Sequence, residues 1–159
     1  MTTQIEPEAT QDLSSEWREN STALNYVEEI ETVIAGMAEK QKVMFGQSEE
    51  SGYRWKFKYG TVDVFVQLTG TSDEDMFTVW SSVLSLPANN EEKLMRLLLE
   101  MNWASTFEAR YAIVENQVVV LTSRTVDDLS PVEISRAITI VATLADDSDE
   151  PLMEEFGLK

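Results

Sequence analysis

The side chains able to do chemistry in this 159-residue chain are mostly carboxylates: 29 Asp and Glu stand against 12 Lys and Arg, with no His and no Cys. Two acids held roughly 5 to 10 Å apart in a cleft would suffice for glycoside hydrolysis or a related reaction. The candidate groups are Asp73/Asp75, Asp127/Asp128 and the run Asp146–Glu150, and all three sit in stretches that read as turns or element ends. The missing His and Cys exclude the usual zinc sites, thiol nucleophiles, His-based triads and imidazole acid–base catalysis. The six glycines, at 36, 46, 52, 60, 70 and 157, form neither GxxxxGK[ST] nor GxGxxG, and no Ser precedes a Lys by three positions. Counted as a calcium loop from Asp146 or Asp147, the acidic run places Pro151 or Leu152 where an EF-hand needs glycine. No catalytic residue, cofactor or metal site is therefore expected.

A second stretch with chemical character is "YRWKFKYG" at 53–60. It carries Tyr53, Trp55, Phe57 and Tyr59 on one face of a strand, and Arg54, Lys56 and Lys58 on the other. Such a face suits a small-molecule sensor, but the simpler reading is that the aromatic side is the core side of a sheet. Net charge is −17, and residues 1–52 and 127–159 carry −8 and −7 of it. A chain so acidic repels polyphosphate and anionic lipid, which argues against nucleic acid and membrane surfaces and favours a partner with a basic surface. No apolar run approaches the roughly 20 residues of a membrane span, and the acidic N-terminus lacks the apolar region of a secretory signal. A cytoplasmic protein is expected.

The elements that must position these groups follow from periodicity. Residues 1–20 have few large apolar groups, Trp17 excepted, and read as an acidic tail. Leu24, Val27, Ile30, Ile34, Met37 and Gln41 then recur at helical spacing, with Ser21 or Thr22 as cap and Lys40–Lys42 at the fading end. The period switches to two over 53–59 and 62–68, with Tyr59-Gly60-Thr61 as the turn. A third strand, 76–86, carries Phe77, Val79 and Val83 on one face and Met76, Trp80, Leu84 and Leu86 on the other, so something must cover both faces.

Asn89 or Asn90 can cap the next helix, "EEKLMRLLLEMNW", in which Leu94, Leu97, Leu98 and Met101 face the core while Met95 and Leu99 form a spare apolar stripe. Asn102 is placed to close that helix in a left-handed conformation, with Trp103 as a lid over its end. Phe107, Ala109, Tyr111 and Ile113 then alternate with Glu108 and Arg110, and Glu115-Asn116 breaks a hairpin whose return strand is "QVVVLTS". Ser130-Pro131-Val132-Glu133 signals a capping box and opens an apolar helix expected to stop at "DDSDEP", leaving 147–159 as an acidic tail able to dock through Leu152, Met153 and Phe156. The order α-β-β-β-α-β-β-α within residues 21–146 predicts one α+β domain, an antiparallel sheet with helices mainly on one face.

The segment Leu97–Leu152 resembles the YbjN-type domain, described as a bacterial sensory-transduction regulator, and its flavour is closest to cyanobacterial members. The resemblance rests on Leu98 and Asn102 at the helix end, Phe107, the hairpin, and "LSPVEISRAITIVATLAD" ending in Ala145-Asp146. It implies a fold like that of class I type III secretion chaperones, which pair through the second helix and adjoining strand and bind segments of other proteins. Here that helix would be Glu91–Trp103. The expectation is a non-enzymatic, homodimeric protein-interaction domain, self-associating through Trp80, Met95 and Leu99. A small-molecule sensor and a carboxylate-dependent hydrolase are the alternatives.

Overall fold

The computed structural model describes residues 26–38 and 43–158. Within them a helix (α1, residues 26–37) is followed by four strands, Val43–Ser48 (β1), Gly52–Tyr59 (β2), Val62–Leu68 (β3) and Met76–Ser85 (β4). Helix Glu91–Ala104 (α2), strands Arg110–Val114 (β5) and Gln117–Thr125 (β6), and helix Pro131–Phe156 (α3) complete the chain. The expected order and α+β class hold, with β1 as one strand more. The expected tail 1–20, the Ser21/Thr22 cap and the helix end at Lys40–Lys42 lie outside the described residues.

All six strands join one antiparallel sheet in the order β1-β2-β3-β4-β6-β5. The sheet has one covered face. Trp55, Phe57, Val64, Val66, Phe77 and Val79 point into it and are essentially excluded from water, as are Ile30 and Ile34 of α1 and Ile134, Ile138 and Val141 of α3. Each large side chain so buried contributes about 1.5–3 kcal/mol. α3 lies across β4 with β3 and β6 on either side, and α2 lies along β5. The aromatic side of "YRWKFKYG" is thus the core side.

β4 explains its own double-sided apolarity. A register shift between Ser82 and Leu84 breaks the alternation, so that Val83 and Leu84 are both buried. Before the shift the strand alternates, and Trp80 stays on the open face. Ser81, buried on the core side, satisfies its hydroxyl by donating to the Asp63 carbonyl at 2.7 Å.

α3 differs most from expectation. Its start is as predicted: Ser130 Oγ accepts from Glu133 N–H, Glu133 Oε1 accepts from Ser130 N–H, and Pro131 opens the helix. Its end is not, because the helix passes through "DDSDEP" and Pro151 to Phe156. Residues 147–156, expected as an acidic tail, are helical. The physical reason is an inward stripe that never stops: Val141, Ala145, Ser148, Leu152 and Phe156 are all buried at helical spacing. That burial outweighs the hydrogen bond Pro151 cannot donate. The acids then act mid-helix: Thr61 N–H and Oγ donate to Asp146 Oδ1 at 3.0 and 3.1 Å, and Thr61 Oγ reaches Asp149 Oδ2 at 2.7 Å. The β2–β3 turn is thereby pinned to α3, and a Cβ on Gly60 would sit 2.1 Å from Asp146 Oδ1.

The loop between β3 and β4 is organised by Asp75, whose carboxylate accepts from Ser72 N–H, Ser72 Oγ and Thr69 Oγ at 3.0, 2.6 and 3.0 Å. Those bonds, Ser72's first, hold its pKa below the ordinary 3.8 against the opposing effect of burial. A lowered folded-state pKa adds stability above the unfolded value that is lost as pH falls through the folded one. Asp75→Asn should therefore be less stable than wild type at pH 6, and the difference in urea midpoint should close as pH is lowered below about 4. A constant difference across that window would show that Asp75 acts without its charge.

Candidate functional site

The carboxylates with catalytic potential are dispersed by the fold. Asp75 is committed to its loop, Asp127 and Asp128 occupy the turn before α3, and Asp146 and Asp149 grip Thr61. One hollow, of about 620 Å³ between the β3–β4 strands and the end of α3, nonetheless gathers Asp149 and Glu150 with Asp63 and Glu154, beside Thr61, Phe65 and Met153. No three His, Cys, Asp or Glu among the described residues are grouped to hold a metal ion, and no helix there is long and apolar enough to cross a membrane.

The surface feature that stands out is apolar. α2 buries Leu94 and Leu98 but leaves Leu99 70% and Trp103 93% exposed. With half-buried Met95 they stand four residues apart on one helix face. Met95 and Leu99 share a hollow of about 260 Å³ with Leu98, Asn102 and the β5 residues Tyr111, Ala112 and Ile113. Phe107 (70% exposed), Ile113 and Val114 add large exposed apolar groups from the following turn and strand.

This end of the domain corrects several expectations. Asn102 does not close the helix, which runs two residues further to a cap at Ser105. Its amide instead clamps β5: Asn102 Oδ1 accepts from Tyr111 N–H at 2.7 Å, and Nδ2 donates to Tyr111 C=O at 3.3 Å. Trp103 is not a lid, since it points away from the domain. Phe107 is not in the strand, because it takes a left-handed φ of 54° in the turn that precedes it. Glu108 pairs with Arg136 of α3 at 2.9 Å, and this bond holds its pKa below the ordinary range. Arg110 is engaged with the Phe107 and Ala109 carbonyls. The hairpin break itself is as expected, with Glu115 and Asn116 both at positive φ, the pairing a two-residue turn requires. Asn90 occupies the α2 cap position without a side-chain bond, while Asn89 joins the end of α3 through Phe156 C=O at 2.7 Å and Gly157 C=O at 3.0 Å.

Behind the patch, Tyr111 Oη and Ser148 Oγ lie 2.6 Å apart in the interior. Burial raises the phenol's pKa, with the nearby Asp147 charge acting in the same direction and the Ser148 bond opposing. The α2–β5 surface thus rests on a junction fixed from two sides, α2 through Asn102 and α3 through Ser148.

Trp80 is not part of this surface. It stacks on Phe65 with ring centroids 5.3 Å apart and planes 11° from parallel, on the open sheet face two strands in from β5. The structure brings Met95 and Leu99 together and puts Trp80 in a separate hollow beside β1. The sheet edge at β1 is itself exposed along all six residues, with Val43, Met44 and Phe45 among the large apolar groups in water. Sequence reasoning missed Trp103 and β1. The Met95–Leu99–Trp103 spacing carried the first, and nothing local carried the second.

A single sheet with helices on one face, and apolar side chains presented at both of its ends, defines a small α+β domain. Residues 27–154 match the model of the YbjN family, "Putative bacterial sensory transduction regulator", and the chain belongs to that family. Among solved structures it is similar to a chain of the "Crystal Structure of the ExsC-ExsE Complex", at 13% identity and a TM-score of 0.45, over 71% of this chain and 77% of that one. No curated protein matches.

Proposed function

We propose that this protein is a non-enzymatic, cytoplasmic protein-interaction domain that pairs with a second copy of itself and holds a segment of another protein. The observation that carries the reading is the nearly bare Trp103 at the end of the Met95–Leu99 stripe, which shares a hollow with Ile113 of β5. Single exposed apolar residues are ordinary, but a helix stripe that ends in a bare Trp beside an exposed Ile marks an interaction surface. A helix face next to an edge strand is self-complementary under a two-fold axis, so a second copy is the natural occupant. Pairing there would leave the opposite edge, β1, free to take a partner segment by strand addition. The YbjN match supports a regulatory rather than catalytic role.

The test is hydrodynamic mass together with capture. Light scattering at tens of micromolar should give twice the chain mass of 18.0 kDa, and tagged protein returned to its native cytoplasm should retain a specific protein. A monomer at that concentration would refute the pairing. Conversion of a metabolite, with no protein retained, would refute the whole reading.

A further inference from the structure

The register places one residue from each strand in a single row across the open face. The row runs Met44 (β1), Lys56 (β2), Phe65 (β3), Trp80 (β4), Leu121 (β6) and Arg110 (β5). Its β1–β4 part is a built surface. Phe65 and Trp80 stack, Lys56 Nζ stands 5.6 Å from the Phe65 ring centre, and Arg54 is exposed one step along the same face. Together with Met44 and Gly46 they line a hollow of about 340 Å³. Gly46 lies opposite Arg54, and a side chain there would meet nothing within 4 Å, so the floor beside β1 is open.

The charge on the β2 side of this face opposes that of the chain. Arg54, Lys56 and Lys58 are its β2 residues, and no carboxylate lies within ion-pair distance of them among the described residues. Asp63 lies opposite Lys58, and beyond it Asp149, Glu150 and Glu154 of α3 line a neighbouring hollow that Phe65 also borders. At physiological ionic strength charges are screened beyond about 8 Å, so a ligand lying on the β1–β2 side of Phe65 and Trp80 meets Arg54 and Lys56 first, the α3 acids lining the hollow on the other side of Phe65.

We infer that the partner segment, on the reading above, docks on this β1–β4 face and is acidic: an aromatic or aliphatic side chain seated on Phe65 and Trp80, flanked by carboxylates meeting Arg54 and Lys56. This reverses, at the docking face, the partner charge that the net charge of −17 suggests. An apolar anchor within a charged rim is the ordinary anatomy of such contacts. The charge pairs set its salt dependence.

The experiment uses the full chain and two fluorescent nonapeptides that share a central Phe-x-Leu. One carries glutamates at the other positions and the second carries lysines. The glutamate peptide should bind and weaken with added salt, and should bind at least about tenfold more weakly to Arg54→Glu/Lys56→Glu. Trp80→Ala should weaken it similarly, with thermal melting confirming that each variant is folded. Preference for the lysine peptide, if Trp80→Ala abolishes it, overturns the acidic assignment while the protein-binding reading stands. Binding of single-stranded oligo-dT in place of either peptide overturns both. Indifference of the glutamate peptide to charge reversal, or failure of both peptides to bind, overturns the docking site, and the capture experiment then decides the broader reading.

Discussion

Met95→Glu/Leu99→Glu should convert the proposed pair into single chains. In a two-fold contact each substitution occurs twice, so four carboxylates would meet where four apolar side chains had been. Each apolar group forfeits up to about 1.5–3 kcal/mol of burial, and each unpaired buried charge costs several more. A loss on the order of 5 kcal/mol raises the dissociation constant by roughly 10⁴, past the working range of light scattering. The chain itself should stay folded, because Leu99 is 70% exposed in the monomer and Met95 is half-buried. Glutamate is also a good helix former. Far-ultraviolet circular dichroism would therefore match wild type while the mass falls to 18.0 kDa. A variant that stays paired would move the interface elsewhere and leave α2 as merely apolar.

A large loss of stability from the addition of a single methyl group is expected at Gly52. It opens β2 at φ 69°, and an added Cβ would lie 2.2 Å from the Leu68 carbonyl oxygen and 2.6 Å from both Thr69 C and Thr69 O. Those atoms are backbone, so relief requires the β2–β3 pairing at Tyr53↔Leu68 to open. The left-handed conformation alone costs an L-residue about 1–2 kcal/mol. With the collision, Gly52→Ala should destabilise by about 2–4 kcal/mol, a large share of the 5–15 kcal/mol typical of a domain. Melting temperature should fall by roughly 5–15 °C in a chain of this length. A loss below about 1 kcal/mol would mean that the turn relaxes without disturbing β3. The same hairpin is held from the open face by Gln67, whose amide donates to Ser51 C=O at 3.1 Å. The substitution should therefore also loosen the β1 edge proposed to receive the partner.

Much of the fold was legible because its strongest signals are local. Alternation in 53–59 and 62–68 set two strands and the turn between them, and Ser130–Glu133 announced α3 to the residue. What failed was reading polarity as termination. The run from Asp146 to Pro151 looked like an end, yet Ala145, Ser148, Leu152 and Phe156 continued the buried stripe beneath it. β1 escaped because an edge strand exposed along its whole length shows no alternation of burial. Its conformation comes from pairing with β2, which is not written in its own residues.

The candidate surfaces divide in the same way. Met95 and Leu99 were visible at a spacing of four, whereas Trp103 was read as a lid over a helix end placed at Asn102, although the helix continues to Ala104. Grouping Trp80 with them could not be checked from one strand. Its neighbours Phe65 and Leu121 are set by cross-strand register, a property of three chain segments at once.

The grip of Asp146 and Asp149 on Thr61, and of Asn89 on the α3 end at Phe156 and Gly157, has a consequence for synthesis. All six strands leave the ribosome before residues 146–157 do, so the sheet is complete in sequence while its β2–β3 turn and the start of α2 still lack their anchors. Domains fold as units during translation. Here the last anchors form only when the final three turns of α3 emerge, so the β2–β3 turn and the start of α2 are the parts of the unit that set latest.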